Sequence, residues 1–265
     1  MPTWKLEIEY EGTRYRGWQI QHNAKTVQGE LQNAGRQLFS SRFEIFGAGR
    51  TDAGVHALHQ IAHLKVDELK ANITPRQIQH GFNDLLPHDI NILKVSNAAD
   101  DFHARHDATA RQYVYIISRR RDAFAKSLVW WIKDDLDIGA MATASEMLLG
   151  THDFRSFCES EEGKKQSTIV NVEVAEIVLE DDRIYFRIKA SHFLWKMVRR
   201  IVGMLVEVGR GNCTYDAFER LLKFESNVPA KFTAPPSGLY LEHVFYHGRS
   251  KHKPGRRNTA KRRKP

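Results

Sequence analysis

The run Gly47 to Ala57, GAGRTDAGVHA, places one carboxylate, Asp52, and one guanidinium, Arg50, in a segment bracketed by glycines. Glycine adopts backbone angles that other residues avoid and lets a ligand approach closely, so such a loop is suited to presenting Asp52. In an extended chain Arg50 and Asp52, two apart, share a face. A nearby arginine favours the ionised carboxylate, which suits a nucleophile or a base rather than an acid. A glycine-rich turn whose Asp caps the following amides is the plainer account of the same letters. Two phosphate-binding readings fail on spacing. A dinucleotide loop needs its third glycine where Asp52 stands, and a P-loop needs a Gly-Lys-Ser/Thr ending that is absent here.

Other residues carry chemistry further along. Phe102, His103, Arg105 and His106 combine rings with a cation, a mixture that serves stacking and phosphate contacts to single-stranded or distorted RNA. Lys164 and Lys165, in the run Glu159 to Gln166, are a second candidate RNA contact. Tyr113 lies in an alternating run with Gln112, Val114 and Ile116 on the other face, where an aromatic ring is ordinarily core. Arg199 sits in an apolar helical stretch, where an arginine ordinarily snorkels to water. Lys196, Arg200 and Arg210 read as solvated or phosphate-facing charges. His56, His59 and His63 fall within eight residues but lack the Glu and spacing of a zincin. On a strand His59 and His63 share a face opposite His56, so no metal is expected.

The elements that must position these groups alternate between two periods. Residues 4 to 10 alternate as a strand. A helix is expected from Val27 to about Ser40, Phe43 to Gly47 leads into the Asp52 loop, and Gln60 to Val66 is the strand leaving it. Thr74 and Pro75 open a helix that ends before Pro87, and Ile90 to Val95 is another strand. Gln112 to Ser118 alternates again, Ile138 to Leu149 is helix-like, and Val170 to Leu179 with Arg183 to Ala190 forms a hairpin. Phe193 to Val208 has helical spacing and stops at Gly209 and Gly211. Thr214 caps a helix through Phe224, and Gly238 to Tyr246 is a closing strand. Two halves of similar content indicate duplicated α+β units, each a sheet with helices on one face, although no letter-by-letter repeat is visible.

A chain of 265 residues with 42% hydrophobic residues builds substantial cores. Cys158 and Cys213 form neither a metal pattern nor a disulfide framework. Met1 leads almost directly into an alternating run, with no charged-then-apolar leader and no apolar stretch of membrane length, so a cytoplasmic protein is expected. The net charge of +8 comes entirely from residues 249–265, which hold nine Lys/Arg and no acid. The remaining 31 basic and 32 acidic residues sum to −1. That tail reads as disordered. It is a phosphate-seeking arm, a nuclear-localisation-like signal or a solubilising end.

The Gly47 to Ala57 run resembles the active-site motif of the TruA-type tRNA pseudouridine synthases. Four further blocks are similar to that family in its order: YEGTRYRGWQIQ from Tyr10, FHARHDATARQYVY from Phe102, MVRRIVGML from Met197 and GLYL from Gly238. The resemblance implies an α+β fold of two similar domains, each a mostly antiparallel sheet with helices on one face, with a basic catalytic cleft between them. Here that places domains at 1–106 and 107–248, followed by the tail. It implies a cofactor-free isomerisation of uridine to pseudouridine in the anticodon arm of tRNA, at positions 38, 39 and 40, by a homodimer. Asp52 is then the nucleophile, bonded to the base or assisting its departure from the sugar. Tyr113 stacks on the uracil and helps remove its C5 proton, Arg199 pairs with Asp52, and Leu241 is the apolar wall under the base. Arg50 binds phosphate or fills the space left by the flipped nucleotide. A non-catalytic RNA-binding module and a histidine-based metal hydrolase are the rival readings.

Overall fold

Alternation at the start of the chain sets the architecture. Trp4, Leu6, Ile8 and Tyr10 are buried on one side of β1 (Thr3–Tyr10), while Lys5, Glu7 and Glu9 are more exposed on the other, the pattern of a strand covered on one face. The computed structural model describes residues 1–68, 73–159 and 167–247. After β1 come α1 (Val27–Leu38), β2 (Phe43–Gly47), β3 (His56–Val66), α2 (Pro75–Leu85) and β4 (Ile90–Ala98). Their strands lie side by side as β4-β1-β3-β2, all antiparallel.

The second half contains β5 (Ala108–Ser118), β6 (Trp130–Trp131), α3 (Ile138–Glu146), β7 (Gly150–Asp153), β8 (Ile169–Glu180) and β9 (Arg183–Ala190). It ends with α4 (Met197–Gly209), α5 (Tyr215–Lys223), α6 (Val228–Lys231) and β10 (Leu239–Tyr246). Without β6, β7, α5 and α6, its order is again strand, helix, two strands, helix, strand. The spatial order repeats as well, since β10-β5-β9-β8 corresponds position by position to β4-β1-β3-β2. This βαββαβ repetition is the duplication that composition hinted at and the letters conceal.

The two units share one sheet. β10 pairs antiparallel with β5 and parallel with β3, through Tyr240 opposite His56 and Leu241 opposite Ala57. β2 occupies the other end of the same β3 edge, opposite Ala62 to Val66. Residues 48–55, which connect β2 to β3, therefore emerge where the two units join. One buried apolar cluster runs through both, including Ile8, Leu31 and Phe82 from the first and Tyr115, Phe186 and Ile201 from the second. The units thus meet edge to edge over a common core, with the Asp52 loop at the seam.

Local signals hold where they are chemically specific. At α2 the Thr74 hydroxyl accepts from the Gln77 N–H while the Gln77 side chain accepts from the Thr74 N–H, with Pro75 opening the helix. A cap of this kind contributes about 1 kcal/mol. Several boundaries differ from expectation: β4 runs on to Ala98 rather than Val95, and α3 ends at Glu146 rather than Leu149. β3 and β5 each begin four residues earlier, because both are central strands whose burial on two faces hides alternation. α4 begins at Met197 rather than Phe193, because Lys196 takes a left-handed φ of 61° and breaks the helical run. Among the described residues no helix is long and apolar enough to cross a membrane. Lys164, Lys165 and the basic tail lie outside the described residues.

Candidate active site

The loop that carries Asp52 is fastened residue by residue. The Ala48 N–H donates to Ile61 O at 2.7 Å and the Trp18 N–H donates to Thr51 O at 3.1 Å. The Tyr10 hydroxyl and Thr51 Oγ1 are 2.7 Å apart, and Gln60 Nε2 donates to Gly49 O at 3.0 Å. Burial pushes the Tyr10 phenol up to about 12. Two glycines are required by geometry. Gly54 turns the chain at φ +76°, and a Cβ on Gly17, at φ +90°, would sit 2.5 Å from Thr51 O.

The arginine that reaches Asp52 comes from far along the chain. Arg199 Nη1 lies 3.8 Å from Asp52 Oδ2, and Arg199 Nε donates to Ala234 O at 2.7 Å. The Ala234 N–H in turn donates to Arg199 O at 3.0 Å, so both ends of this residue are held. Arg50 turns away instead and donates to Gln19 Oε1 at 3.1 Å from an exposed position. Trp195, 44% exposed, lies beside the Asp52 carboxylate.

The protonation of Asp52 departs from the expectation of an arginine-lowered carboxyl. Burial raises its pKa above the ordinary value, Arg199, Lys196 and the neighbouring Trp195 oppose the rise, and the desolvation prevails. Tyr113 is buried with its ring edge against Phe193, centroids 4.9 Å apart. Burial raises the phenol's pKa, and Tyr10 and Asp52 raise it further, so the hydroxyl stays protonated. Leu241 is fully buried opposite Tyr113 across the β5–β10 pairing. The structure therefore gathers Asp52, Arg199, Tyr113 and Leu241 at one place on the seam. Tyr115, on the same strand face as Tyr113, is packing, with its hydroxyl on Pro235 O at 2.7 Å.

Two residues of this site escaped the sequence reading. Arg111 donates to four carbonyls: Ala48 and Arg105 at 2.8 Å, Ala108 at 3.2 Å and Ser191 at 3.3 Å. It thereby binds the Asp52 loop to the 103–106 turn and to the end of β9. Its position two residues before Tyr113 on one strand face was the available signal. Trp195 was hidden because it was assigned to a helix that begins only after it. Arg200 is a correction, since it is buried rather than solvated, donating to Cys158 O and to Glu159 Oε2. Lys196 likewise pairs with Glu159, at 2.6 Å, and Arg210 with Asp134 and Glu207, at 2.7 Å each.

The remaining candidates occupy different settings. Phe102 is buried against Tyr246, centroids 5.5 Å apart. His103 is half-buried and its Nδ1 accepts from the Arg105 and His106 N–H groups, and both of those side chains are exposed. The three histidines of β3 serve separate purposes. His56 Nδ1 accepts from the Gly12 N–H at 2.9 Å, and His59 bonds Glu7 and stacks on His243. His63 Nδ1 accepts from the Ala104 N–H at 3.0 Å, and burial pushes its pKa down to about 4. Among the described residues no group of three His, Cys, Asp or Glu side chains is arranged to hold a metal ion.

The description "tRNA pseudouridine synthase" belongs to the family model that matches residues 7–107 and 144–247. The chain belongs to the tRNA pseudouridine synthase family. Among its relatives, a tRNA pseudouridine synthase A from Dictyoglomus thermophilum is 40% identical over 251 residues, spanning 93% of this chain and 100% of that protein. The synthases of the same name from Thermoanaerobacter sp. (strain X514) and Aquifex aeolicus are 39% and 36% identical, covering 91% and 92% of this chain and 98% and 100% of theirs. As a pseudouridine synthase, this protein is an isomerase that converts uridine to pseudouridine. The first matched segment contains Asp52 and the second contains Arg199 and Leu241.

Proposed function

We propose that this synthase acts on the anticodon arm of tRNA, at positions 38, 39 and 40, with Asp52 as the nucleophile. The observation that carries the reading is the partly desolvated Asp52 carboxylate facing Arg199, beside a buried, protonated Tyr113. In the reaction the bond from the ribose C1′ to N1 of uracil breaks. The base turns, C1′ bonds to C5, the C5 proton leaves and N1 gains a proton, so composition is unchanged. Asp52 supplies the attacking oxygen, which bonds to the base or to C1′ as N1 leaves and is released when C1′ bonds to C5. Arg199 orients it, Tyr113 stacks on the base and relays the C5 proton, giving up its own hydroxyl proton as it takes that one, and Leu241 forms the apolar wall.

RNA enters across the exposed side of the seam. Arg50 takes the space of the flipped nucleotide or its phosphate, and Phe102, His103, Arg105 and His106 form the turn that supports it, with Lys164 and Lys165 as a further contact. The chain divides into domains at 1–106 and 107–248, works as a homodimer in the cytoplasm and uses no cofactor. Light scattering at micromolar concentration is expected to return twice the chain mass, and a clean monomer would remove the dimer. The function itself is tested with unmodified tRNA transcript. The protein forms pseudouridine at positions 38–40 and Asp52→Ala forms none. Undiminished activity in Asp52→Ala would refute the assignment of the nucleophile.

A further inference from the structure

The loop that follows β5 presents a feature that the catalytic site does not use. Phe124 is 98% exposed, although transfer of such a ring into an apolar environment is favourable by about 2 kcal/mol. The exposure is enforced rather than slack. Asp122 Oδ1 accepts from the N–H groups of Phe124 and Ala125 at 3.0 and 3.1 Å, and the Leu128 N–H closes the turn on Ala125 O at 2.9 Å. Asp122 Oδ2 is held by Arg120 and Arg183, each at 3.5 Å. Further on, the Tyr240 hydroxyl donates to Leu128 O at 2.6 Å and the Ser237 hydroxyl to Val129 O at 3.2 Å. These bonds hold the turn so that the Phe124 ring projects into solvent.

Beside the ring is an open cavity of about 570 Å³ lined by Arg120, Arg121, Arg183 and Phe124. The carboxylate in that lining, Asp122, is occupied by backbone amides and is only 11% exposed at its side chain, against 60% for Arg120. Arg121 lies over the half-exposed ring of Trp131, 5.9 Å from its centroid. Outward-facing guanidinium groups interleaved with aromatic rings form a surface for phosphates and unstacked bases. An acidic turn bounds it on one side, where Arg120 Nε meets Asp182 Oδ2 at 3.2 Å, so a polyanion is directed toward Arg121 and Trp131.

We propose that residues 119–126 form a second RNA-binding site, separate from the uridine pocket, which takes a phosphodiester on Arg121 and Arg120 with its base stacked on Phe124. The proposal rests on tRNA being the substrate. Ser118, where the loop leaves β5, is five residues from Tyr113, about 17 Å at the rise of a strand. That is too far to touch the flipped uridine and near enough to hold the same molecule. The site therefore contributes to affinity and not to the chemical step.

The test measures tRNA affinity and single-turnover rate on the full chain. Phe124→Ala is expected to weaken unmodified tRNA binding about tenfold, in the range of base–aromatic stacking, and Phe124→Trp to retain it. Arg121→Ala is expected to lower the slope of log Kd against log salt by just under one unit. All three variants keep the wild-type rate of pseudouridine formation at saturating tRNA, which also shows that they are folded. Unchanged affinity in Phe124→Ala overturns the proposal. So does a Phe124→Ala variant whose mass by light scattering changes while its tRNA affinity does not, because the ring would then belong to a contact between copies. A wild-type protein that forms no pseudouridine would instead count against the function itself.

Discussion

A carboxylate that attacks carbon gains basicity and nucleophilicity when it is partly stripped of water, and Asp52 sits in that condition. Burial lifts its pKa, and Arg199 at 3.8 Å opposes the rise. The sign of the pH dependence follows. With Asp52 as the proposed nucleophile, activity requires the ionised carboxylate, so it is lost as pH falls through the folded pKa, which lies above the usual carboxylate value of about 3.9. Replacing Arg199 with alanine removes the opposing cation, and the acid limb of the single-turnover rate then shifts to higher pH, alongside a fall in rate. A limb that stays in place or moves lower would show that Arg199 does not act on Asp52. Residue types singled out Asp52, and the resemblance to the synthase family added Tyr113, Arg199 and Leu241, which residue types alone would have left as core or snorkelling side chains; the fold brings all four together. Neither was enough for the electrostatic balance. Sequence offered Arg50 as the local cation, and the backbone of residues 48–55 turns it onto Gln19 instead, so burial decides the direction.

At the scale of elements, the orientation of Arg199 depends on a contact that no single letter announces. A Cβ added to Gly203 on α4 would lie 1.6 Å from Phe232 O, so the backbone after α6 lies directly on the helix at that point. Two residues on, Ala234 exchanges two hydrogen bonds with Arg199, through its N–H and its carbonyl. Gly203→Ala must therefore push the 232–234 segment outward. It is expected to cost about 2–3 kcal/mol, a fall in melting temperature of roughly 5–10 °C for a chain of this size, with a lower kcat as Arg199 loosens. A variant with wild-type melting temperature and rate would show that the contact is not close in solution. The sequence marked α4 by its apolar period and its closing glycines, but nothing in it singled out Gly203 in the middle. Helix caps and hairpins, which are local chemistry, were legible at α2, α5 and the β8–β9 turn. The starts of β3, β5 and α4 were not, because central burial and one left-handed residue at Lys196 override local pattern.

At the scale of the whole molecule, the repeated βαββαβ order explains why the site lies where it does. Joining two such units through β10 and β3 leaves β2 and β10 sharing one edge of β3, and the connection between β2 and β3 is delivered to the join. Sequence periodicity indicated two similar units but not their edge-to-edge union, since the pairing of the last strand with the third is set by tertiary packing alone. The same scale bears on where the proposed RNA affinity arises. Residues 1–248 carry a formal charge of −1 and residues 249–265 carry +9, so on the proposed tRNA reading the body has to attract a polyanion through sorted surfaces such as the seam and the proposed 119–126 site, and the phosphate-seeking reading of the tail adds attraction without regard to sequence. Counterion release makes such attraction steeply dependent on salt. Deleting residues 249–265 should therefore weaken tRNA binding by tenfold or more at 50 mM salt and by much less at 300 mM, with the single-turnover rate at saturating tRNA unchanged. The measurement is a pair of binding isotherms at each salt. Equal affinities with and without the tail at both concentrations would leave the sorted surfaces of the folded body as the whole source of binding.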